Sequence, residues 1–421
     1  MIVSSPTIFI SAGEASGEHY GTLLIEALRR KAAGMELRFI GMGGERMEAA
    51  GLERIVRSED VAVMGLTEIV RHLPRIWGEF QKLKAAIRRE RPAVAVLIDF
   101  PEIHLRLARI FHSLGIPVVY FVSPQIWAWK KHRIKLVQKY VRRMAVIFPF
   151  EEQFYREHGV KAEFVGHPLA ELPMPTISRE EFAAQNGLDL TRTWIALLPG
   201  SRPHEIRDHL PEMLEVAWIM DMATPSSAYP LDTYEFMVPL ASTLSEFQRR
   251  EVSELAEGHG GGLPVRLVND ARAALYHARA SVVASGTATV EAALIGNPFV
   301  VVYRVSRLTY AIAKRLVKVP FVAMANLIAG RAIVPELIQH DFKASKIVEH
   351  LKLLLPDGEP RQSMQKDLAA VGHALSLARK DCNSSGAGAV EQVATIVLEE
   401  LAAGGESQVL KGHGFIDPAL D

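Results

Sequence analysis

The sequence TIFISAGEASGEHYGTLLIEALRRK, at residues 7–31, places a short apolar strand, a turn of small residues and an amphipathic helix in direct succession. Further apolar runs separated by helical periodicity lie at residues 38–41, 94–99, 117–122 and 144–148. Strands that alternate with helices predict βαβ units and a parallel sheet. The runs are continuously apolar, as is typical of strands that helices cover on both faces. The first half of the chain is therefore predicted to be a doubly wound α/β domain.

A second series of strands follows a proline-rich linker. Three prolines between residues 168 and 175 precede Ser178, which stands before an acidic segment as the N-cap of a helix. Beyond it, apolar runs lie at residues 194–198, 234–239, 265–268, 281–284 and 299–302. A length of 421 residues suffices for two domains. We therefore predict an α/β protein of two Rossmann-like doubly wound domains facing a cleft, at residues 1–175 and 176–400, with residues 401–421 as a loose tail.

The composition excludes several protein classes. Hydrophobic residues make up 49% of the chain and charged residues 23%, a balance unlike that of disordered, coiled-coil or collagen-like proteins. No apolar run reaches the roughly 18 to 20 residues that cross a bilayer. The single cysteine, Cys382, excludes an internal disulfide framework and a cysteine-based zinc site. Because no basic and apolar leader precedes the first strand, the cytoplasm is the expected compartment.

The charge is unevenly distributed, although the net charge is zero. Residues 1–174 carry 25 Lys and Arg against 19 Asp and Glu, a surplus of six, so the remainder has a deficit of six. This asymmetry favours an anionic partner for the first half, whether nucleic acid, membrane or a phosphorylated ligand, and an incidental division of surface charge fits equally well.

Two segments of the first half follow strands directly, where ligands bind in open α/β sheets. The turn at residues 11–21 has small residues that permit close backbone approach, and Glu14 and Ser16 stand in it. A plain strand-to-helix turn would look similar. Asp99 follows an apolar strand and precedes Pro101, a position suited to accepting a proton from a substrate hydroxyl. A helix-capping role for Asp99 is the alternative.

Three segments of the second half have the same character. Arg202 follows a strand within LPGSR, and a guanidinium beside N–H donors suits a diphosphate. Ser285, Gly286 and Thr287 lie between a strand and a helix, with Glu291 one turn further on, where it suits ribose hydroxyls. Asn326 lies within an apolar stretch, so its buried amide needs a partner, either ligand or backbone. Each segment alone would also fit an ordinary turn.

Metal and cofactor motifs are missing from the sequence. The 15 histidines are scattered, without HExxH or DxD, and neither a Walker A loop nor GxGxxG is present. We therefore expect no metal and no cofactor.

The chain resembles the lipid-A-disaccharide synthase family of GT-B glycosyltransferases, glycosyltransferase family 19. The resemblance runs from about residue 7 to about residue 382 and is carried by nine strings. They are GEASG (13–17), GMGGERM (41–47), VAVMGLTEI (61–69), VSPQIWAW (122–129), PFE (149–151), FVGHPL (164–169), LLPGSR (197–202), SGTATVEA (285–292) and LIAGRAIVPELIQ (327–339). The chain departs from the family at Glu18, where Asp is usual, and at Glu102 and His104, where Asp and Asn are usual.

The resemblance implies an inverting transfer of 2,3-diacylglucosamine from UDP to the 6-hydroxyl of 2,3-diacylglucosamine 1-phosphate (lipid X) in lipid A biosynthesis. It implies that Asp99 and Asn326 are catalytic residues, with Asp99 as the base and Asn326 orienting the sugars. It also implies that Glu14 and Ser16 bind substrate and that the second domain binds UDP. The UDP-binding residues would be Arg202, Ser285, Gly286, Thr287 and Glu291. The implied partners are UDP-diacylglucosamine, lipid X, an anionic inner-membrane surface and a second copy of the chain, with no nucleic acid.

Two other functions remain open. A UDP-sugar 2-epimerase of the same fold would have a similar nucleotide half, but a membrane-facing surface is of no use with a soluble sugar nucleotide. An inactive membrane scaffold would keep that surface but has no need of Asp99, Arg202 and Glu291 together.

An apolar stripe in the first half predicts how the protein reaches acylated substrates. Its members follow helical spacing, with a break expected at Pro74 and Trp77 beside the stripe. They are Leu66, Ile69, Val70, Leu73, Ile76, Phe80, Leu83 and Ile87. Seven basic residues against three Glu lie in residues 66–91, and seven with no acid lie in residues 130–143. Such a helix suits the surface of an anionic membrane, whereas a helix packed on its own sheet would have the same period. We expect a cytoplasmic protein that binds peripherally to the inner membrane.

Overall fold

A computed structural model of the chain describes residues 5–32, 34–61, 66–129, 131–222, 233–241, 244–260, 262–317, 319–376 and 388–412. The chain divides into two compact units. The first contains Met1–Glu171 together with Leu377–Asp421, and the second is Leu172–Ser376. The sequence-based division differs in three respects. It gave residues 172–175 to the first domain and residues 377–400 to the second, and it set residues 401–421 apart as a tail.

The first unit begins with alternating strands and helices. Its elements are β1 (Thr7–Ala12), α1 (Ala15–Lys31), β2 (Arg38–Gly43), α2 (Glu45–Ala49), β3 (Leu52–Arg57), α3 (Leu66–Glu90), β4 (Val94–Ile98), α4 (Pro101–Ser113), β5 (Val118–Phe121), α5 (Ile134–Tyr140), β6 (Arg143–Val146), α6 (Pro149–Glu157) and β7 (Ala162–Phe164). Short 3₁₀ turns lie at Ser58–Asp60, Lys131–Arg133 and Pro168–Glu171.

The described strands of this unit form one parallel sheet of seven, in the order β3-β2-β1-β4-β5-β6-β7. Every residue of β4 is buried, as expected for a central strand covered on both faces. The order reverses between β1 and β4, and ligands of such sheets bind at this switch point, outside the carboxyl ends of the strands.

The second unit repeats the scheme. Its elements are α7 (Arg179–Asn186), β8 (Thr193–Leu198), α8 (Pro203–Met222), β9 (Tyr234–Pro239), α9 (Glu246–Gly260), β10 (Val265–Val268), α10 (Ala271–His277), β11 (Ala280–Ala284), α11 (Thr287–Ile295), β12 (Phe299–Tyr303), α12 (Arg307–Leu316), α13 (Met324–Ala329), β13 (Glu336–Ile338), α14 (Ala344–Leu354) and α15 (Glu359–Leu375). Its described strands form a parallel sheet of six, β10-β9-β8-β11-β12-β13, with the switch point between β8 and β11. The predicted N-cap of α7 is confirmed, because Ser178 Oγ accepts from the Glu181 N–H at 3.1 Å.

The sequence missed three strands, β3, β7 and β13, for a physical reason. β3 reads LERIVR and is only partly buried, so it lacks a continuous apolar run. The other two strands have three residues each, too few for a periodic signal.

The last helix, α16 (Ala389–Gly412), belongs to the first unit, where it packs against α1, β4 and β5. Val393 and Val397 are fully buried there. Glu391 pairs with Arg30 at 2.5 Å, and Glu399 with Arg143 at 3.3 Å. These contacts explain why the end of the chain leaves the second unit. The helix also includes residues 401–412, which the sequence assigned to a loose tail, and residues 413–421 lie outside the described residues.

The amphipathic stripe of α3 divides into two parts. Leu83 and Ile87 are fully buried in the core, so for them the alternative of packing on the sheet is correct. Trp77 is 58% exposed and stacks on Phe80, with ring centroids 5.9 Å apart. The side chains of residues 66–73 lie outside the described part. The expected break at Pro74 is absent, because α3 continues through it. None of the described helices is long and apolar enough to cross a membrane.

Candidate active site

The loops that follow β1 and β4 meet at the first switch point. The last residues of the two strands are register partners, so Gly13 and Asp99 leave the sheet side by side. A Cβ atom on Gly13 would lie 2.4 Å from the ring of Phe100, and glycine alone fits there. Glu14 and Asp99 therefore belong to one edge of the sheet, as the sequence predicted.

The backbone at Asp99 has an unusual conformation. Asp99 and Phe100 have φ of 51° and 48°, the left-handed region that residues with a Cβ rarely adopt. The Asp99 carbonyl accepts from His104 Nδ1 at 2.6 Å and from the Tyr120 hydroxyl at 2.5 Å. Asp99 itself is half-buried. A carboxylate thus stands on a backbone that neighbouring side chains hold in place.

The residues around the first turn have different environments. Glu14 is the N-cap of α1 with extended backbone and no side-chain capping bond, and it is exposed, as is Ser16. Both are therefore accessible to a ligand. Glu18, one of the departures from the family pattern, accepts from the Arg46 N–H at 2.9 Å and so caps α2. Among the contacts of the described residues, Glu18 therefore serves as a helix cap.

A buried carboxylate, Glu151, lies beneath the loop after β5. Its Oε1 accepts from Ser123 Oγ at 2.7 Å and Trp127 Nε1 at 2.9 Å, and its Oε2 accepts from the Phe148 N–H at 3.1 Å. Burial raises the pKa of Glu151 to about 7, against the lowering effect of these donors. Glu151 fixes the loop next to the one that carries Asp99.

In the second unit, one helix end proposed for a diphosphate is already occupied. Oε2 of Glu205 accepts from the N–H groups of Ser201 at 3.2 Å and Arg202 at 3.3 Å. Oε1 of Glu205 lies 3.7 Å from the guanidinium of Arg202, whose side chain is 43% exposed. The expectation that these N–H groups face a diphosphate is therefore not met in this structure. The guanidinium remains as the cationic group of the segment.

The start of α11 has the opposite character. Its N-cap is Gly286, with φ of 157°, and within the described part of the chain no side chain caps this end. The first N–H groups of an α-helix have no carbonyl four residues earlier within the helix, and here the Thr289 N–H donates instead to the Gly286 carbonyl at 3.1 Å. Gly286 and Thr287 are exposed, Ser285 is partly exposed, and a Cβ built on Gly286 would meet nothing within 4 Å. This end is therefore open to an anion, with the helix dipole favouring negative charge.

Glu291 lies one turn further along α11 and is half-buried. Burial is the main cause that raises its pKa, Asp270 raises it further and Arg272 lowers it. A carboxylate partly withdrawn from water at this distance from the helix end suits hydroxyl groups of a ligand.

The structure gives Asn326 a structural role. Its Oδ1 accepts from the N–H groups of Ile333 at 2.7 Å and Val334 at 2.9 Å. Its Nδ2 donates to the Val334 carbonyl at 3.0 Å and to Glu336 Oε1 at 2.8 Å. The amide is fully buried and uses its whole hydrogen-bonding capacity. The backbone alternative left open by the sequence therefore applies, and we do not assign Asn326 to catalysis.

Sequence reasoning did not find His104, Tyr120, Glu151 or Glu205 as parts of these sites. Glu151 had a usable signal, since it is the third residue of a helix that begins with proline, a capping-box position. The contacts of His104, Tyr120 and Glu205 involve residues that are distant in sequence or depend on the geometry of a turn, so no local pattern indicates them. Among the described residues, no group of three or more His, Cys, Asp or Glu side chains could hold a metal ion.

The chain is similar to known proteins in both its sequence and its fold. A family model described as Lipid-A-disaccharide synthetase matches residues 8–390. The chain is 56% identical over 409 residues to the lipid-A-disaccharide synthase of Acidobacterium capsulatum, covering 95% of this chain and 98% of that protein. It is 49% identical over 373 residues to the lipid-A-disaccharide synthase of Koribacter versatilis, covering 88% and 94%.

Solved structures resemble this one in fold alone. The glycotransferase of kitacinnamycin has a TM-score of 0.58 at 14% identity, over 94% of this chain and 99% of that one. A UDP-GlcNAc 2-epimerase from Neisseria meningitidis, bound to UDP-GlcNAc, has a TM-score of 0.52 at 13% identity, with the same coverage. Together with the two parallel sheets, these similarities confirm the predicted α/β fold class of two doubly wound domains, GT-B.

Proposed function

Because this chain belongs to the lipid-A-disaccharide synthase family, we propose that it is an inverting glycosyltransferase that makes the disaccharide of lipid A. It transfers 2,3-diacylglucosamine from UDP to the 6-hydroxyl of 2,3-diacylglucosamine 1-phosphate. The products are a β-1,6-linked disaccharide 1-phosphate and UDP. The observation that carries the proposal is the match of the family model over residues 8–390, which includes both switch-point segments.

The chemistry is a single displacement. The Asp99 carboxylate takes the proton of the acceptor hydroxyl as its oxygen attacks C1 of the donor sugar. The bond from C1 to the diphosphate oxygen breaks on the opposite face, and its electron pair leaves with UDP, so the configuration at C1 inverts. The half-buried Asp99 at a switch point supports this role, and Glu14 and Ser16 in the neighbouring loop are proposed to orient sugars.

The departing diphosphate needs positive charge. The uncapped start of α11, at residues 285–287, and the Arg202 guanidinium supply it in our proposal, and Glu291 holds the ribose hydroxyls. The occupied helix end at Glu205 supports α11 as the diphosphate site. In this proposal the first unit binds the acceptor, and the second unit, Leu172–Ser376, binds the nucleotide.

The first unit is proposed to dock on an anionic membrane, because the acyl chains keep both substrates in a bilayer. Trp77, Trp129 and Leu136 expose 58%, 39% and 39% of their surfaces, with exposed Lys135 and Lys139 nearby in sequence. Aromatic side chains among basic ones suit a lipid interface. The cytoplasmic face of the inner membrane is the proposed location. We also propose a homodimer, which the family resemblance supports. Light scattering of the purified protein, which measures its molar mass in solution, tests this.

The test is direct. Purified protein is incubated with UDP-diacylglucosamine and the acylated sugar phosphate in detergent, and mass spectrometry follows UDP and the disaccharide. We expect both to accumulate, and Asp99→Asn to lower turnover about 10²-fold or more while UDP binding is unchanged. Asp60→Asn, an acid paired with Arg75 elsewhere in the first unit, is the matched control and should keep activity. Conversion of UDP-GlcNAc to its 2-epimer without disaccharide formation would establish the epimerase alternative instead.

A further inference from the structure

Two successive residues at the end of β4 have positive φ, and both carry side chains. Asp99 and Phe100 lie at 51° and 48°, and Phe100 is the N-cap of α4. Such a conformation costs free energy and persists where surrounding contacts determine it. The contacts that do so here identify residues that act on Asp99.

Both backbone groups of Asp99 are hydrogen-bonded. Its N–H donates to the Phe121 carbonyl at 2.9 Å, which continues the ladder between β4 and β5. Its carbonyl accepts twice, from the Tyr120 hydroxyl at 2.5 Å and from His104 Nδ1 at 2.6 Å. A carbonyl oxygen has two lone pairs, so this one is fully used.

The tautomer of His104 follows from its partners. A carbonyl can only accept, so Nδ1 must carry the ring proton. Nε2 then accepts from the Ser11 hydroxyl, 2.8 Å away. His104 is fully buried, and burial lowers its pKa to about 4, so the ring is neutral at physiological pH. The ring thus connects β1, through Ser11, to the end of β4.

We propose that His104 and Tyr120 are positioning residues for the catalytic carboxylate of Asp99, holding the backbone at residue 99 in its left-handed conformation by two hydrogen bonds to one carbonyl. Both side chains are fully buried, so neither can contact a substrate directly. The inference rests on the proposed function of Asp99 as the base. It adds residues that set the geometry of that base.

The test uses substitutions that separate the loss of a hydrogen bond to the Asp99 carbonyl from a change in side-chain volume. His104→Asn keeps an amide N–H close to the position of Nδ1, whereas His104→Leu keeps volume and removes the donor. Tyr120→Phe removes the second donor alone. We expect kcat to fall at least tenfold in His104→Leu and severalfold in Tyr120→Phe, and to stay within about threefold of the parent in His104→Asn. The KM for the UDP donor and the affinity for UDP should stay constant, because the nucleotide site belongs to the other unit.

A second readout does not depend on activity. Crystal structures should show residue 99 outside the left-handed region in His104→Leu and within it in His104→Asn. A merely structural role predicts instead a lower melting temperature with an unchanged kcat per folded molecule, and that result would overturn the proposal. If His104→Leu leaves φ at residue 99 unchanged, the proposal is also overturned, whatever the assay gives. If the parent protein makes no disaccharide, the proposed function is wrong. The crystal structures of the variants still test whether His104 and Tyr120 hold the backbone at residue 99.

Discussion

The carboxylate of Glu205 lies 3.2 Å from the backbone nitrogen of Ser201, at the start of α8, in the LPGSR turn that follows β8. An acid here neutralises the positive end of α8 and leaves no vacant N–H pair at residues 201 and 202 for a second anion. Of the two strand-to-helix turns at the second switch point, the start of α11 is the one without a side-chain cap among the described residues. This contrast decides where we place the diphosphate.

Glu205→Gln tests that placement. Glutamine keeps an oxygen that can cap α8 but removes the negative charge beside Arg202. If the diphosphate binds at α11, the dissociation constant of UDP should stay within about threefold of the parent value in isothermal titration calorimetry. A tightening of tenfold or more would mean that the carboxylate competes with the diphosphate for the start of α8.

Arg202→Ala should weaken both UDP binding and turnover. A charge-assisted hydrogen bond to the diphosphate is worth about 1.5 to 3 kcal/mol, so the dissociation constant should rise roughly 10- to 100-fold. Turnover should fall further, since the contact strengthens as the leaving group gains charge. Arg207→Ala is the control, because this exposed arginine of α8, the helix that follows Arg202, pairs with Glu251 at 3.0 Å. Equal turnover in the two variants would remove Arg202 from the site.

Glu151→Gln should change how stability depends on pH. The pKa of Glu151 is raised to about 7 in the folded protein, above the value near 4.3 expected on unfolding. The folded state therefore binds the proton more tightly, and stability falls as pH rises from about 4.5 to about 7, by on the order of 3 kcal/mol. Urea unfolding at pH 5, 6, 7 and 8 should show this decline in the parent and a flatter profile in Glu151→Gln.

The control for that profile is Glu157→Gln, an exposed acid on the same helix. Its profile should match the parent. If Glu151→Gln declines as steeply as the parent between pH 5 and 7, another group causes the pH dependence.

Trp77→Glu should weaken binding to anionic membranes. In flotation with vesicles of phosphatidylglycerol and phosphatidylethanolamine, the parent should float at low salt and less at high salt, because basic residues contribute through screened charge. Placing a carboxylate at this exposed indole opposes insertion and adds repulsion. Trp218→Glu, at a 48% exposed tryptophan of the second unit, should float as the parent does. If Trp77→Glu floats equally well, this part of α3 is not the docking surface.

The sequence alone determined the α/β scheme and the family. Continuous apolar runs such as residues 94–98 are a local property, because a strand covered on both faces needs apolar side chains throughout. The segments with Asp99, Arg202 and Gly286 could be located for the same reason, since ligand sites of these sheets follow the strands. Long specific strings identified the family, which the family model confirms.

Only the tertiary structure decided what several of those side chains do. The side-chain amide of Asn326 hydrogen-bonds to the backbone of residues 333 and 334. Leu83 lies in the core rather than on a surface. Periodicity gives the face of a helix but not what that face meets. Hydrogen bonds such as the one from Tyr120 to the Asp99 carbonyl join residues that the sheet alone brings together. The ion pair of Glu391 with Arg30 spans 361 positions, so the return of α16 to the first unit depends on packing that no local pattern encodes.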